Sequence, residues 1–274
     1  MKTSRSLDTP SAAKQQDCPI WIINLSSSTE RRERISSRLE KLGLRFEFFN
    51  AVDGRKGLPR GLEHLVDRDL ARRRLFHAIS DAEVAVQISH ANLYRKMVEE
   101  GVEEAVILED DACVGSAFWG FVMDDVRKRF DMVLLAHEKA RAFRGVVGRL
   151  RSDEYLYRLR GPCHLTAGYY LSNRGAKFLF SGALPVSYVA DWPVDISDIG
   201  AVACSPAIIG HELPMKAAST ISTERNYLKS TTRRGRSRRM LTKAYWRKKK
   251  NRLIGLKLLG SASVFKSIEA EMDC

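Results

Sequence analysis

The sequence lacks any long hydrophobic run. No uninterrupted apolar stretch approaches the roughly 18 residues that a membrane-spanning helix needs. Residues 1–18 are polar and contain no apolar segment of the kind found in secretory signals, so we expect a flexible leader there. Cysteine is scarce: the chain has five, scattered and without C-x-x-C spacing. This pattern argues against a disulfide framework and against a zinc site, and it indicates reduced thiols in a cytoplasm.

Several catalytic motifs are missing as well. The sequence contains no G-x-S-x-G, P-loop or G-x-G-x-x-G pattern, which excludes the hydrolases, NTPases and dinucleotide-binding proteins recognised by those motifs. His211-Glu212 does not continue into H-E-x-x-H, so a zinc protease is excluded too.

Positive charge is present in excess but confined to one region. The net charge is +13, and 13 Lys or Arg residues with no Asp or Glu lie between Lys229 and Lys257. The rest of the chain is balanced, with 33 basic and 33 acidic residues. A neutral body with a basic appendage indicates either a surface anchor or a nucleic-acid arm.

Short apolar runs alternate with segments of helical periodicity along the body of the chain. Strands are predicted at 20–25, around Phe46 and Phe48, at 105–108, 132–136 and 166–171, with a hairpin at 146–159. Helices are predicted from a Ser27/Glu30 capping box to Gly43, then at 81–100, 118–129 and 174–180, with a loop and a short helix in 56–78. This alternation predicts an α/β fold with a central, mostly parallel sheet.

Three consecutive acids, Glu109, Asp110 and Asp111, follow a predicted buried strand. Ligands of open α/β sheets bind at the carboxyl ends of the strands. Adjacent carboxylates repel one another, and a divalent cation bound to phosphate oxygens would relieve that repulsion. From spacing alone, a solvated loop explains these residues equally well.

Two further features allow either a functional or a structural explanation. Arg31 and Arg32 lie in the first helical turn, where the helix dipole disfavours cations and the free N–H groups favour a phosphate, although a solvated helix face is also consistent. His90, which follows Ser89, lies on the apolar stripe of its helix. It is either a satisfied core histidine or a support beneath a site.

Five segments occur in an order that resembles a known family. They are Ile-Trp-Ile-Ile-Asn-Leu at 20–25 followed by Glu-Arg-Arg at 30–32, the turn at 49–54 with Ala-Val-Asp-Gly, the helical segment at 83–90 with Ser-His at its end, the strand and acids at 105–111, and the segment at 168–176 beginning Gly-Tyr-Tyr-Leu-Ser with Pro-Val-Asp at 193–195. Together they resemble glycosyltransferase family 25, the bacterial lipooligosaccharide galactosyltransferases and their relatives. The resemblance covers roughly residues 19–214, which we expect to form one catalytic domain.

The resemblance implies a GT-A type, Rossmann-like fold and an inverting transfer from a UDP-sugar to a sugar hydroxyl of a lipid-linked lipooligosaccharide core. UDP-galactose is the expected donor and a β-1,4-galactosyltransferase the expected activity; another UDP-sugar is the alternative. The acidic triplet would hold Mn²⁺ or Mg²⁺. The implied donor-binding residues are Asn24, Arg31, Arg32, Asp53, Ser89 and His90. The implied general base is Asp195, with Asp191 as an alternative, and the implied acceptor-binding residues are Tyr169 and Asp198. Asp195 could equally bind the acceptor without taking a proton.

The C-terminal segment, residues 215–274, lies outside these motifs and is expected to form a basic amphipathic tail. Cations and interfacial aromatics occur together at Tyr245, Trp246, Arg247, Lys248, Lys249 and Lys250, followed by leucines and an isoleucine. This combination favours a helix lying on an anionic membrane surface, at the inner face of the cytoplasmic membrane. The other hypothesis is a disordered or nucleic-acid-binding arm; it leaves the acidic triplet unexplained, so we expect no nucleic-acid partner.

Overall fold

The structure is a computed structural model that describes residues 16–161, 163–188, 192–211 and 243–272. Within these ranges the chain forms an α/β fold around a nine-stranded sheet. No helix in them is long and apolar enough to cross a membrane.

The central sheet has the strand order β11-β6-β7-β9-β5-β8-β3-β1-β2. Its strands are β1 Ile20–Asn24, β2 Glu47–Asn50, β3 Glu104–Glu109, β5 Met132–Leu134, β6 Arg141–Arg149, β7 Tyr155–Leu159, β8 Gly168–Ser172, β9 Val202–Ser205 and β11 Leu256–Lys257. Three neighbouring pairs are parallel and five antiparallel. The sheet is therefore mixed, where a mostly parallel one was expected: β8 runs antiparallel between β3 and β5, and β7 runs antiparallel between β6 and β9. A separate antiparallel pair joins β4 Cys113–Val114 to β10 Ile209–Gly210.

Helices cover both faces of the sheet. They are α1 Thr29–Lys41, α2 Arg68–Leu75, α3 Asp81–Glu99, α4 Ser116–Val122, α5 Asn173–Ser181, α6 Lys243–Ile254 and α7 Ser261–Met272. Short 3-10 helices span Arg60–Leu65, Asp125–Arg129 and Ile196–Ile199. Alternate residues of each strand face opposite sides, so one core contains Ile22 with Leu39 of α1, and the other contains Ile23 with Leu93 of α3.

The first helix begins one residue later than the predicted capping box. Its N-cap is Ser28 and not Ser27, and it has no side-chain cap hydrogen bond. The Ser28 hydroxyl accepts a hydrogen bond from Arg31 instead, at 3.2 Å. The helix ends at Lys41 with Leu42 as its C-cap, and the expected terminating residue Gly43 follows with a φ of +66°, a conformation that suits glycine at this position.

The predicted helix over 118–129 is interrupted. Helix α4 ends at Val122, and the Asp124 side chain accepts from the Val126 N–H and starts a 3-10 helix. The predicted helices at 81–100 and 174–180 are confirmed, the first with a Ser80–Glu83 capping box and the second with Ser172 as its cap.

The described part of the C-terminal segment joins the body of the protein. Strand β11 pairs with β6, Leu258 is buried, and the buried Ser261 hydroxyl accepts a hydrogen bond from the His137 N–H at 3.1 Å. Strand β11 therefore extends the central sheet, and the described part of the expected basic amphipathic tail packs against the body. The expected boundary at 214/215 lies outside the described residues.

Candidate functional site

The candidate site begins where strands β1 and β3 end side by side. Asn24 is the last residue of β1, and Asp110 follows β3 directly. The Asn24 amide nitrogen Nδ2 donates to Asp110 Oδ2 at 2.8 Å, and Arg31 Nη1 lies 3.0 Å from Asp110 Oδ1. The parallel pairing of β1 with β3 thus brings together an amide, a guanidinium and a carboxylate that are far apart in the sequence.

Asp110 is a buried carboxylate in an unfavourable environment. Burial raises the pKa of Asp110 to about 6, although Arg31 and Asn24 both act to lower it. Beside it, the side-chain oxygen Oδ1 of Asn24 is buried and has no hydrogen-bond partner among the described residues. Buried polar atoms are rarely left unpaired, so these two observations indicate a position for a polar ligand.

Asp111 pairs with His211, a histidine that lies 100 residues further along the chain. The antiparallel pairing of β4 with β10 places His211 beside Asp111, with His211 Nε2 3.3 Å from Asp111 Oδ2. Burial raises the pKa of Asp111, but the hydrogen bond and charge of His211 outweigh it, so this pKa lies below its usual value. Burial lowers the pKa of His211, but Asp111 outweighs it in turn and raises this pKa. Sequence reasoning missed His211, because no short-range spacing links residues 100 positions apart.

Glu109 faces away from the other two acids. It lies on the α3 side of the sheet, where the Thr166 hydroxyl donates to Glu109 Oε1 and His90 Nε2 lies 3.3 Å from the same oxygen. His90 Nδ1 lies 2.8 Å from the Tyr169 hydroxyl, which lies 3.2 Å from that of Tyr94. The three acids of the expected metal site therefore do not converge on one position: among the described residues, no three His, Cys, Asp or Glu side chains are grouped to hold a metal ion.

Two residues expected to touch substrates are fully buried. Tyr169 was expected to bind the acceptor, but its side chain lies inside the core between His90 and Trp192. Ser89 was expected near the donor, but its hydroxyl donates to the Ala85 carbonyl and accepts from the Val52 N–H. Both residues, like the buried His90, support the site and are not exposed to a substrate.

Arg32 and Asp53 lie beside the site with partners of their own. The Arg32 guanidinium stacks over the Phe48 ring at 3.7 Å, so it does not share the Asp110 contact of Arg31. Asp53 forms an ion pair with Arg55, whose hydrogen bonds lower the pKa of Asp53 to about 2.

The acids expected to act as base or to bind the acceptor lie around the 3-10 helix Ile196–Ile199. Asp195 caps this helix: its Oδ1 accepts from the Ser197 N–H and hydroxyl, and its Oδ2 accepts from Arg247 of α6. Asp198 is exposed in the same helix. Asp191 lies outside the described residues.

A protein-family model matches most of the chain. The model of the family "Glycosyltransferase family 25 (LPS biosynthesis protein)" matches residues 17–197, about two thirds of the chain. The chain belongs to glycosyltransferase family 25. The match includes Asn24, Arg31 and the acidic triplet, whereas His211 and helices α6 and α7 lie beyond it.

Curated relatives of this family-25 chain come from bacteria and insects. It is 29% identical over 183 residues to the lacto-N-neotetraose biosynthesis glycosyltransferase LgtE of Neisseria meningitidis, covering 62% of this chain and 64% of that protein. It is 31% identical over 175 residues to a glycosyltransferase 25 family member of Aedes aegypti, covering 58% and 27%. It is 33% identical over 112 residues to LgtB of Neisseria gonorrhoeae, covering 40% and 39%. The chain thus matches less than two thirds of the length of each of these relatives.

Among solved structures, a glycosyltransferase involved in the glycosylation of the major capsid of PBCV-1 is similar over 78% of this chain and 99% of that one. The identity is 10% and the TM-score 0.32, which is too low to support an argument.

Proposed function

We propose that this chain is an inverting galactosyltransferase that moves galactose from UDP-galactose to a sugar hydroxyl of a lipid-linked oligosaccharide, as a β-1,4-galactosyltransferase of lipooligosaccharide synthesis would. The observation that carries the proposal is the buried Asp110, held by Asn24 and Arg31 at the carboxyl edge of the sheet. The names of the Neisseria relatives, which refer to lacto-N-neotetraose biosynthesis, support the same acceptor class. The proposed location is the cytoplasmic face of the membrane, and the proposed fold type is GT-A.

The donor diphosphate would lie at the start of α1, next to Arg31 in the first turn of this helix. This helix has no side-chain cap, so its first N–H groups are open to an anion. Asn24 Oδ1, which has no hydrogen-bond partner in the part of the chain that the structure describes, offers an acceptor for an N–H or O–H group of the nucleoside. Asp53, paired with Arg55, would border the same region.

A divalent cation fits Asp111 and His211 better than it fits the acidic triplet. A carboxylate oxygen and an imidazole nitrogen are common ligands of Mn²⁺, and Mg²⁺ binds through one or two carboxylates with substrate phosphates supplying further positions. Asp111 is partly exposed, and His211 Nε2 lies 3.3 Å from Asp111 Oδ2, so one cation could contact both side chains. Such a cation would neutralise charge on the departing nucleoside diphosphate.

The general base is proposed to be Asp195, with Asp191 as the alternative. Trp192 packs edge-on against Tyr169 at 5.1 Å, and the Tyr169 hydroxyl leads through His90 to Glu109 at the carboxyl end of β3. Both oxygens of Asp195 already accept hydrogen bonds, and opening of the Arg247 contact would free Oδ2 for the acceptor hydroxyl.

A donor panel tests the proposal most directly. Release of UDP from UDP-galactose, UDP-glucose and UDP-N-acetylglucosamine would be measured with an oligosaccharide acceptor, with and without Mn²⁺. We expect acceptor-dependent release from UDP-galactose that requires the metal. Preference for another UDP-sugar would correct the donor, whereas absence of UDP binding and release would leave only a transferase-like binding module.

A further inference from the structure

We infer that helix α6 and the start of the β11–α7 connection form a docking surface for an anionic lipid membrane. We call this the C-terminal surface and define it by residues Trp246, Lys249, Lys250, Leu253, Ile254 and Leu259. The inference deepens the proposed function, because a lipid-linked acceptor lies at such a membrane. Vesicle binding is measured without sugar transfer, so either proposal can fail without the other.

The first argument is the concentration of exposed apolar side chains. Eight large hydrophobic residues of the described ranges are exposed, and four of them lie between positions 246 and 259. Leu253 is 78% exposed, Leu259 57% and Trp246 54%. Isolated exposed hydrophobics are ordinary, but a cluster of them marks an interaction site.

The second argument is the orientation of α6. Trp246, Lys250 and Leu253 follow at spacings of four and three, so they share one helix face, and that face is exposed. Arg247 and Asn251 share the neighbouring face and hold the helix to the body, through Asp195 and through the Arg160 carbonyl at 2.6 Å. The polar anchors therefore face the protein while Trp246 and Leu253 face outward, the reverse of an ordinary surface helix, and Ile254 lies at the border of the two faces.

The third argument is that this orientation is fixed. Pairing of β11 with β6 and burial of Leu258 prevent the exposed leucines from turning inward. Two leucines of this run are not part of the exposed face: Leu256 pairs with Ala142 in the sheet, and Leu258 is buried. The side chain of Lys248 lies outside the described residues.

Charge identifies the occupant as an anionic bilayer. Lys249 and Lys250 are exposed on the apolar face, Lys257 is exposed beyond it, and residues 229–257 contain no acid. Lys249 lies 5.0 Å from the Trp246 ring, so cation and aromatic side chain are presented together. A tryptophan and leucines next to lysines match the headgroup layer, where apolar groups enter the acyl boundary and cations meet phosphates. A nucleic acid would use the lysines but leave the leucines exposed.

Sedimentation of the full chain with vesicles tests the surface. We expect binding to phosphatidylcholine vesicles that contain phosphatidylglycerol and little binding without it. The variant Lys249→Gln/Lys250→Gln should bind roughly thirtyfold more weakly, since each lysine near an anionic surface contributes about a factor of five. Its matched control is Arg72→Gln/Arg73→Gln, on the exposed face of α2, which should bind like the native chain.

The apolar contribution is tested with Trp246→Ala/Leu253→Ala against Trp119→Ala/Tyr155→Ala, two exposed aromatics elsewhere on the protein. Only the first pair should lose vesicle binding, with unchanged circular dichroism and thermal midpoint. In a Trp119→Phe background, tryptophan emission should also shift to shorter wavelength on vesicle addition, because Trp246 enters the interface. Equal vesicle binding by both pairs, or no binding by the native chain, would overturn the inference. The inference would also be overturned if the variants of the C-terminal surface lost binding to duplex DNA but kept binding to vesicles.

Discussion

At the scale of single residues, the three consecutive acids have three different environments. Asp110 is buried against Asn24 and Arg31, Asp111 is partly exposed beside His211, and Glu109 accepts hydrogen bonds on the opposite side of the sheet. A buried carboxylate depends on its partner, because an unpaired buried charge is costly. An exposed carboxylate can be replaced with little effect on folding. Substitutions in the triplet should therefore separate ligand binding from stability.

The first prediction concerns Asp111. We expect Asp111→Asn to abolish metal-dependent UDP release while shifting the free energy of unfolding by less than about 1 kcal/mol, since the side chain is partly exposed and its ion pair is weak. UDP-release assays across an Mn²⁺ titration and thermal melts measure the two effects. The matched control is Asp69→Asn, because Asp69 is an exposed residue of α2. This variant should behave like the native chain. Full activity of Asp111→Asn would remove Asp111 from the proposed metal site.

The second prediction separates the two members of the Asp195–Arg247 pair. Asp195→Asn should lower kcat by about 10²-fold or more with the donor KM unchanged, because a general base contributes about 10²–10⁴-fold. Arg247→Gln should retain kcat on a soluble acceptor, because it frees the Asp195 oxygen for the acceptor hydroxyl.

Steady-state kinetics with varied donor and varied acceptor distinguish the outcomes. A raised donor KM with preserved kcat in Asp195→Asn would make Asp195 a donor-site residue. Equal losses of kcat and of thermal stability in both variants would mean that the ion pair has only a structural role.

At the scale of secondary-structure elements, helix α1 directs two neighbouring arginines to different tasks. Successive helix positions are rotated by about 100°, so Arg31 reaches Asp110 while Arg32 stacks on Phe48 of the neighbouring strand β2. The same divergence occurs at the end of β3, where Glu109 and the next residue, Asp110, face opposite sides of the sheet. The geometry of the helix or strand therefore determines which residue of a motif reaches the site.

The third prediction uses this divergence as a matched pair. Arg31→Gln should weaken UDP binding by roughly tenfold to a hundredfold, the range expected for a lost hydrogen bond to a charged group. Arg32→Gln should change UDP binding by less than about threefold, because its guanidinium contributes a cation–π contact of about 0.5–1 kcal/mol to packing. Isothermal titration with UDP compares them. Equal losses would show that both arginines bind the donor, as the sequence alone suggested.

At the scale of the whole molecule, the C-terminal segment supports the site. Helix α7 packs on β4 and β10, the pair that holds Asp111 next to His211, and buries Ile268 and Met272 against Cys113. The Ser116 N–H donates to Glu271 at 2.7 Å, and Lys41 of α1 donates to the Met272 carbonyl at 2.6 Å. Removing the segment would therefore disturb the fold and the site together.

The fourth prediction follows from this packing. Deletion of residues 243–272 should lower the free energy of unfolding by about 5 kcal/mol, because Leu258, Ile268 and Met272 each lose about 1.5–3 kcal/mol of burial. Urea denaturation measures the change. A truncated protein that unfolds at the same urea concentration as the full chain would show that the segment is an independent tail. Point variants of the C-terminal surface consequently test membrane docking better than truncation does.

The family and most of the local structure could be predicted from the amino-acid sequence. Apolar runs and helical periodicity are local properties, so β1, α3, β3 and α5 were predicted close to their observed bounds, as was the termination of α1 by Gly43 just after its last residue, Lys41. The order of the motifs predicted glycosyltransferase family 25, which the family match confirms. The triplet was placed correctly at the end of a buried strand.

Strand directions, side-chain partners and the place of the C-terminal segment depend on tertiary contacts. An apolar run favours a strand but carries no direction, so the antiparallel insertion of β8 was not predictable from its pattern. The pairing of β4 with β10 brings His211 to Asp111 across 100 residues, and no local signal encodes it. The basic segment is polar enough in composition to suggest a free tail, but the backbone pairing of β11 with β6 fixes it to the sheet. Such pairing depends on which surfaces the rest of the chain leaves open, and that is a property of the folded whole.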